Sequence, residues 1–258
     1  MEILVCIKQV PDDSVEIAVN PSTGLPALED VTKVVNAFDT YALEMAVRLK
    51  EAKGGEVTVL SVGGEDVKNS LKNCLAVGAD KAYLASCDKA DELDAAGIAK
   101  VLAKAKADIE AAEGKKFDFV FFGKEATDTA ASQAGEMFAD ELALPVVTNV
   151  IEVSEEGGKA SIKRETEDGY VLFEAALPAV VTVQKPNYDP RYPTIKSKMV
   201  ARKKPIEALT VAELPASGLK VVKVYAPAKR AAGVKIKAEN AEEAVAQAMD
   251  VMKAAKVF

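Results

Sequence analysis

The chain alternates apolar runs of strand length with amphipathic stretches of helix length, and that rhythm leaves few folds open. "EILVCIKQV" (residues 2–10), "EVTVLSVGG" (56–64), "KAYLAS" (81–86) and "FDFVFFG" (117–123) are nearly continuous in apolar residues. Between them, residues 39–54 place Ala42, Met45, Ala46 and Leu49 on one helical face and stop at Gly54. Residues 65–80, 91–113 and 130–143 read as further helices, the last leading through Pro145 into "VVTNV". Strands that are apolar throughout are buried on both faces, and strands separated by helices pair in parallel. The expectation is an α/β fold with a doubly wound, mostly parallel sheet covered by helices on both sides.

After residue 150 the period changes. "VIEVSEEGGKASIKRETEDGYVLFEAAL" alternates in twos around Gly157-Gly158 and again around Asp168-Gly169, which are hairpin signals. An antiparallel excursion is expected there, with "AVVTVQ" (179–184) returning as a buried strand. Residues 207–236 show little periodicity, and an amphipathic helix over about 241–255 closes the chain. We read residues 1–186 as the α/β domain, 187–206 as a distinct loop, and 207–258 as an arm that packs on another subunit.

The 187–206 loop, "NYDPRYPTIKSKMVARKKPI", carries six Lys or Arg against one Asp in a chain of net charge −7. A local basic patch on an acidic protein argues against general binding of nucleic acid or anionic membrane, which needs a broad basic face. Pro190 and Pro193 brace its start, and Tyr192, Ile195 and Met199 add apolar contact surface. The chain has no histidine, which removes His-based triads, His metal sites and the usual neutral-pH proton shuttle. Cys6, Cys74 and Cys87 form no CxxC pair and read as buried thiols. No run reaches transmembrane length, and the N-terminus reads directly as a strand. A reducing, cytoplasmic setting is expected.

In doubly wound sheets, ligands lie at the carboxyl ends of the strands. Three loops stand there: "KQVPDD" (8–13), "SVGGED" (61–66) and "GKEATDTAASQAG" (123–135). Gly63-Gly64 permits close backbone approach and equally serves a tight turn. Neither a GxGxxG after the first strand nor a GxxxxGK[ST] is present. "SVGGED" follows the second strand and lacks a closing Ser, so it is not the SGGxDS loop of ATP pyrophosphatases. In the third loop, Thr127, Thr129 and Ser132 hydroxyls and the Gln133 amide are placed to meet a phosphate at a helix N-terminus. Ordinary capping by Asp128 or Thr129 is the alternative. No catalytic constellation emerges; the residues alone describe a nucleotide-binding module with a docking loop and an arm.

"LVCIKQVPD", "VVNAFDTYALEMAVRLKE", "CLAVGADKAYL", "FFGKEATDTAASQAGEMFADEL", "LPAVVTVQ" and above all "NYDPRYPTIKSKMVARKKPIE" resemble the beta subunit of electron transfer flavoprotein, in register over nearly the whole chain. The resemblance implies an adenine-nucleotide-hydrolase-like (Rossmann-like) three-layer fold. It also implies a heterodimer whose alpha subunit holds most of the FAD, carrying electrons between flavin dehydrogenases and a downstream oxidoreductase. The beta subunit would bind AMP through Cys6, Asn36, Ala37, Phe38, Asp39, Val62, Gly63 and Gly123. Thr127, Asp128, Thr129, Ala130, Ala131, Ser132, Gln133 and Ala134 would complete that site. Phe38 would lie near the partner's flavin. Residues 187–206 would dock the dehydrogenase, with Ile195 and Tyr192 as apolar contacts ringed by Arg191, Lys196 and Lys198.

Some positions depart from the family pattern. Asp128 stands alone where two or three acids are usual, and Asp13 replaces an aromatic residue after the first strand. "VPD" and "NAFDTYALE" resemble the electron-bifurcating, NADH-oxidising branch, in which a second FAD takes the AMP position. "GDTAQ", common there, is absent, and "KRAAGVKI" (229–236) resembles the AMP-type tail. A stand-alone adenine-nucleotide-binding stress or signalling module is the alternative of another class.

Overall fold

The computed structural model of the protein describes residues 1–226, 228 and 232–257. Within the "KRAAGVKI" stretch, residues 229–231 lie outside the described residues. Met1–Val222 forms one compact unit and Lys223–Phe258 a second.

The chain runs β1 (Glu2–Cys6), β2 (Gln9–Pro11), β3 (Lys33–Val35), α1 (Ala37–Lys53) and β4 (Glu56–Gly63). It continues through α2 (Lys68–Ala76), β5 (Lys81–Ser86), α3 (Ala95–Glu113), β6 (Phe119–Gly123) and α4 (Ala134–Glu141). Then come β7 (Val146–Glu156), β8 (Lys159–Thr166), β9 (Gly169–Ala176), β10 (Ala179–Val183), α5 (Ile195–Lys203), β11 (Glu207–Thr210) and α6 (Ala241–Ala254). Nine strands form one sheet in the order β11-β5-β4-β1-β6-β10-β7-β8-β9. Pairings from β11 to β7 are parallel, and β7-β8 and β8-β9 are antiparallel. The mostly parallel sheet and the two hairpins agree with the expectation.

Successive residues of a strand face opposite sides, so the two-residue period sorts the core into two layers. Ile3, Val5, Val57, Val59, Phe119 and Phe121 face α1 and α2, while Leu4, Cys6, Leu60, Val120 and Phe122 face the layer with α3 and α4. Full burial of each large apolar side chain is worth about 1.5–3 kcal/mol, and both layers hold many at zero exposure.

Four boundaries differ from the sequence reading. The first strand stops at Cys6; Gln9–Pro11 then turns away to pair antiparallel with β3. The helix expected from 130 starts at Ala134, because Ala130 and Ser132 sit in the left-handed region at φ 47° and 50° and cannot extend a right-handed helix. The capping alternative for Asp128 and Thr129 therefore falls, since neither adjoins the helix start. Residues 195–203 of the basic loop are helical, started by Thr194 and Ser197, which accept from each other's backbone N–H groups. Glu207–Thr210, too short to show a period, adds an edge strand beside β5, so the sheet continues into the stretch expected to be arm.

Candidate functional site

The strand order reverses direction at β1: β4 and β5 lie on one side and β6 and β10 on the other. In doubly wound sheets ligands lie at the carboxyl ends of the strands where the order reverses, which here are the ends at Cys6, Gly63 and Gly123.

Asn36 ties this region together. It is buried, and its backbone N–H donates to the Lys8 carbonyl at 2.9 Å. Its Nδ2 donates to the Glu125 carbonyl at 2.8 Å, and its Oδ1 accepts from the Thr127 N–H at 3.0 Å. Three residues on, the Asp39 carboxylate accepts from the Lys8 N–H at 2.6 Å and the Gly123 N–H at 3.0 Å. The start of α1 is thereby tied to the ends of β1 and β6. Gly123 is required for that approach: a Cβ there would lie 2.7 Å from the Phe38 carbonyl carbon. At the end of β4, a Cβ on Gly63 would meet Val67 Cγ2 at 2.6 Å.

Burial is the largest influence on Asp39 and raises its carboxyl to about 7, against the pull of its hydrogen bonds with Lys8, Asn36 and Gly123. Burial also pushes the Cys6 thiol well above its ordinary value, with Asp39 adding to the effect, so the thiol stays neutral. Neither group is a poised nucleophile, and both Asp39 oxygens are committed to backbone donors. Among the described residues, no cluster of His, Cys, Asp and Glu suits a metal ion.

Cys6, Asn36, Asp39 and Gly63 are buried, and Phe38, Val62, Gly123, Thr127 and Ala134 are half-buried. Ala37 and the run Asp128, Thr129, Ala130, Ala131, Ser132 and Gln133 are exposed. No side chain caps α4, whose N-cap is Gln133, and its first turn carries Glu136, a half-buried carboxyl that burial raises above its usual range and that has one oxygen without a partner. Beneath them, Gly135 packs on Thr182, whose hydroxyl is buried without a partner. Sequence reasoning missed Lys8, Glu125 and Thr182. Lys8 and Glu125 lie inside loops it singled out, whereas Thr182 carries no local signal within a buried strand.

The basic segment is anchored at both ends. Arg48 stacks 3.8 Å from the centre of the Tyr188 ring. The Arg191 guanidinium bonds to Glu44 (Nε to Oε2, 2.8 Å) and to Glu51 (Nη1 to Oε1, 2.6 Å). Burial works against charge on Glu44, which is 3% exposed, but hydrogen bonds from Arg191 and Arg48 outweigh it and hold the carboxyl below its usual range. Arg191 was expected in the charged ring around the apolar tip; its guanidinium is instead committed to these two carboxylates. Downstream, Lys72 Nζ donates to the carbonyls of Ala201, Arg202 and Lys204, while Lys204 Nζ returns to the carbonyls of Ala79 and Asp80. Held this way, α5 leaves Ile195 83% exposed and Tyr192 87% exposed, with Met199 beside Ile195 at the i,i+4 spacing. Lys196 and Lys198 are exposed too, and among the described residues no carboxylate pairs with either.

No helix among the described residues is long and apolar enough to cross a membrane. The family described as Electron transfer flavoprotein domain matches residues 27–214. The chain is 36% identical to the electron transfer flavoprotein subunit beta of Megasphaera elsdenii, over the full length of both. It is 35% identical to the human protein of that name, covering 97% of this chain and 98% of the relative. It is also 39% identical to the caffeyl-CoA reductase-Etf complex subunit CarD of Acetobacterium woodii, covering 80% and 77%. The strand-end crevice, the anchored basic helix and these matches lead to one statement: the chain belongs to the electron transfer flavoprotein family, among its beta subunits.

Proposed function

We propose that this chain is the beta half of a heterodimeric electron carrier and that it holds AMP in the crevice beyond β1, β4 and β6. The observation that carries the reading is the junction of Asn36, Asp39, Gly123 and Thr127, which forms a fixed floor at the point of strand reversal and offers no acid–base pair. The residues fit an anionic nucleotide: α4 has no side-chain cap, burial raises Glu136, the acid of its first turn, towards the neutral form, and Thr182 has a buried hydroxyl without a partner. Thr127 and the exposed run Asp128 to Gln133 would surround the phosphate, with Cys6, Val62 and Gly63 as wall. Phe38, beside Gly123, would face the FAD held mainly by the alpha subunit. That flavin supplies the electron chemistry; this chain orients, encloses and docks.

The exposed face of α5 would receive the flavin dehydrogenase, with Ile195 and Tyr192 as apolar contacts and Lys196 and Lys198 as charge. An apolar centre with a basic rim gains affinity from burial and association rate from charge. The arm, including α6, would pack on the alpha subunit.

A second reading places FAD where AMP is proposed, in an NADH-oxidising, bifurcating complex. The Acetobacterium woodii relative, named for a caffeyl-CoA reductase-Etf complex, favours it. A stand-alone nucleotide-binding module has no use for an anchored, exposed α5. The test is a nucleotide census. Co-express the chain with the adjacent alpha partner, purify the complex, release ligands with acid and count them by chromatography. One FAD and one AMP per heterodimer supports the first reading. Two FAD without AMP supports the second. A lone chain that holds nucleotide and forms no complex defeats both.

A further inference from the structure

The exposed half of the 124–133 segment is held by little. Its inner half is fixed through Asn36, which bonds to Glu125 and Thr127. Beyond Thr127, Ala130 and Ser132 occupy left-handed conformations that non-glycine residues adopt only when their surroundings enforce them. Ser132 Oγ bonds to Glu125 within the same segment. Among the described residues, one side chain reaches this outer half from the strand ends: Lys8 Nζ meets both Asp128 oxygens, at 2.6 Å and 2.9 Å, across 120 residues of sequence. The Lys8 backbone is itself fixed on both sides. Its N–H donates to Asp39 and its carbonyl accepts from the Asn36 N–H. The ammonium therefore projects from an immobile pivot onto a segment that otherwise depends on its own strained turns.

We propose that Lys8 is a positioning residue for the nucleotide, its ion pair with Asp128 latching residues 128–133 over the ligand. The inference rests on the adenine-nucleotide reading of the crevice. Lys8 acts through Asp128 and not by neutralising a phosphate, because both of its short contacts are spent on that carboxylate. The latch governs how fast ligand leaves, since opening the segment must break the ion pair. Because both partners are partly exposed, salt screens the pair and opens the latch faster.

The test uses the full heterodimer with the alpha subunit, loaded with radiolabelled AMP, in Lys8→Met, Asp128→Asn and the double variant, with Lys8→Arg as the conservative control. The rate of AMP release is followed from low to moderate NaCl, and hydrogen exchange is followed at residues 128–133 in the ligand-free complex. A latch predicts that each single variant speeds release roughly threefold to fivefold. It also predicts that the double variant is no faster than either single, that all three lose salt dependence, and that Lys8→Arg behaves as wild type. Exchange at 128–133 rises equally in the three. Additive effects overturn the latch, as does a Lys8→Met effect without an Asp128→Asn effect, which marks a direct phosphate contact. Wild-type release rates in every variant overturn it too. A wild-type complex that retains no AMP overturns the nucleotide reading itself, and the latch with it.

Discussion

Asn36 and Thr127, 91 residues apart, are joined by a 3.0 Å hydrogen bond from the Thr127 N–H to Asn36 Oδ1. The same amide donates to the Glu125 carbonyl, so one buried side chain fixes both sides of the turn after β6. Asn36→Ala leaves the half-buried Thr127 N–H and Glu125 carbonyl without their partner, and each orphaned group costs about 1 kcal/mol. The variant should unfold at lower denaturant and retain less nucleotide, without loss of alpha-subunit binding. Urea titration and nucleotide content check it; unchanged values in both would remove Asn36 from the site.

Asp39 gives a pH signature. Its folded-state value of about 7 stands above the unfolded value of about 4. The folded state thus keeps a proton that the unfolded state releases. Its contribution is full below about pH 4 and is lost as pH rises through about 7. At about pH 5 the folded carboxyl is protonated and, like an amide, carries one donor, so Asp39→Asn should match wild type there to within about 1 kcal/mol. As pH rises from about 5 to about 8, wild type should lose stability and the non-titrating variant should not, so the variant becomes the more stable of the two. Melting curves across that range test the sign, and a wild type that gains on the variant contradicts it.

Arg191 and Ile195, four residues apart, should separate cleanly. Arg191→Met strips the guanidinium from the buried Glu44 carboxylate and should cost about 2 kcal/mol, below the full penalty of a buried pair because Arg191 is partly exposed. Ile195→Ala removes a side chain with no burial to lose, so stability stays within about 0.5 kcal/mol. It should weaken dehydrogenase affinity by about tenfold, the scale of a contact worth just over 1 kcal/mol. Denaturation and binding isotherms on both variants check the contrast. A stability loss for Ile195→Ala would mean that the Ile195 side chain itself packs on its own chain.

Association with the dehydrogenase should slow as salt rises, because the Debye length falls from roughly 30 Å at 0.01 M to roughly 8 Å at 0.15 M. Replacing Lys196 and Lys198 together with Gln should flatten that dependence. Stopped-flow association rates decide it, and a slope unchanged by the double substitution would leave these lysines as solvating charge.

What the sequence made legible was what local pattern controls. Gly157-Gly158 and Asp168-Gly169 marked the turns of the β7-β8-β9 excursion, since a glycine at positive φ is readable from its neighbours alone. The strand-end loops were legible because position in a doubly wound sheet follows from strand order. The start of α4 was not. The run "TAAS" follows residues held by distant ties, Lys8 to Asp128 and Asn36 to Thr127, and is itself held by the bond from Ser132 to Glu125, none of which a local pattern shows. The role of Arg191 was hidden for the same reason, because Glu44 lies 147 residues away. The start of α5 was missed as well: the prolines of the segment give it a loop reading, although Thr194 three residues before Ser197 forms a capping pair.

The position of β10 has a consequence for how the protein is made. It is synthesised after β7, β8 and β9, yet it lies between β6 and β7 and pairs with both. A nascent chain that has emerged only to residue 176 displays every loop of the crevice, but its sheet has a gap one strand wide. The Lys124 N–H, which follows β6, still lacks its acceptor, the Val183 carbonyl. Closure of the crevice is thus deferred until a late segment threads into a slot left open for it. A nucleotide held as proposed would wait for that strand during translation, however early the loops themselves appear.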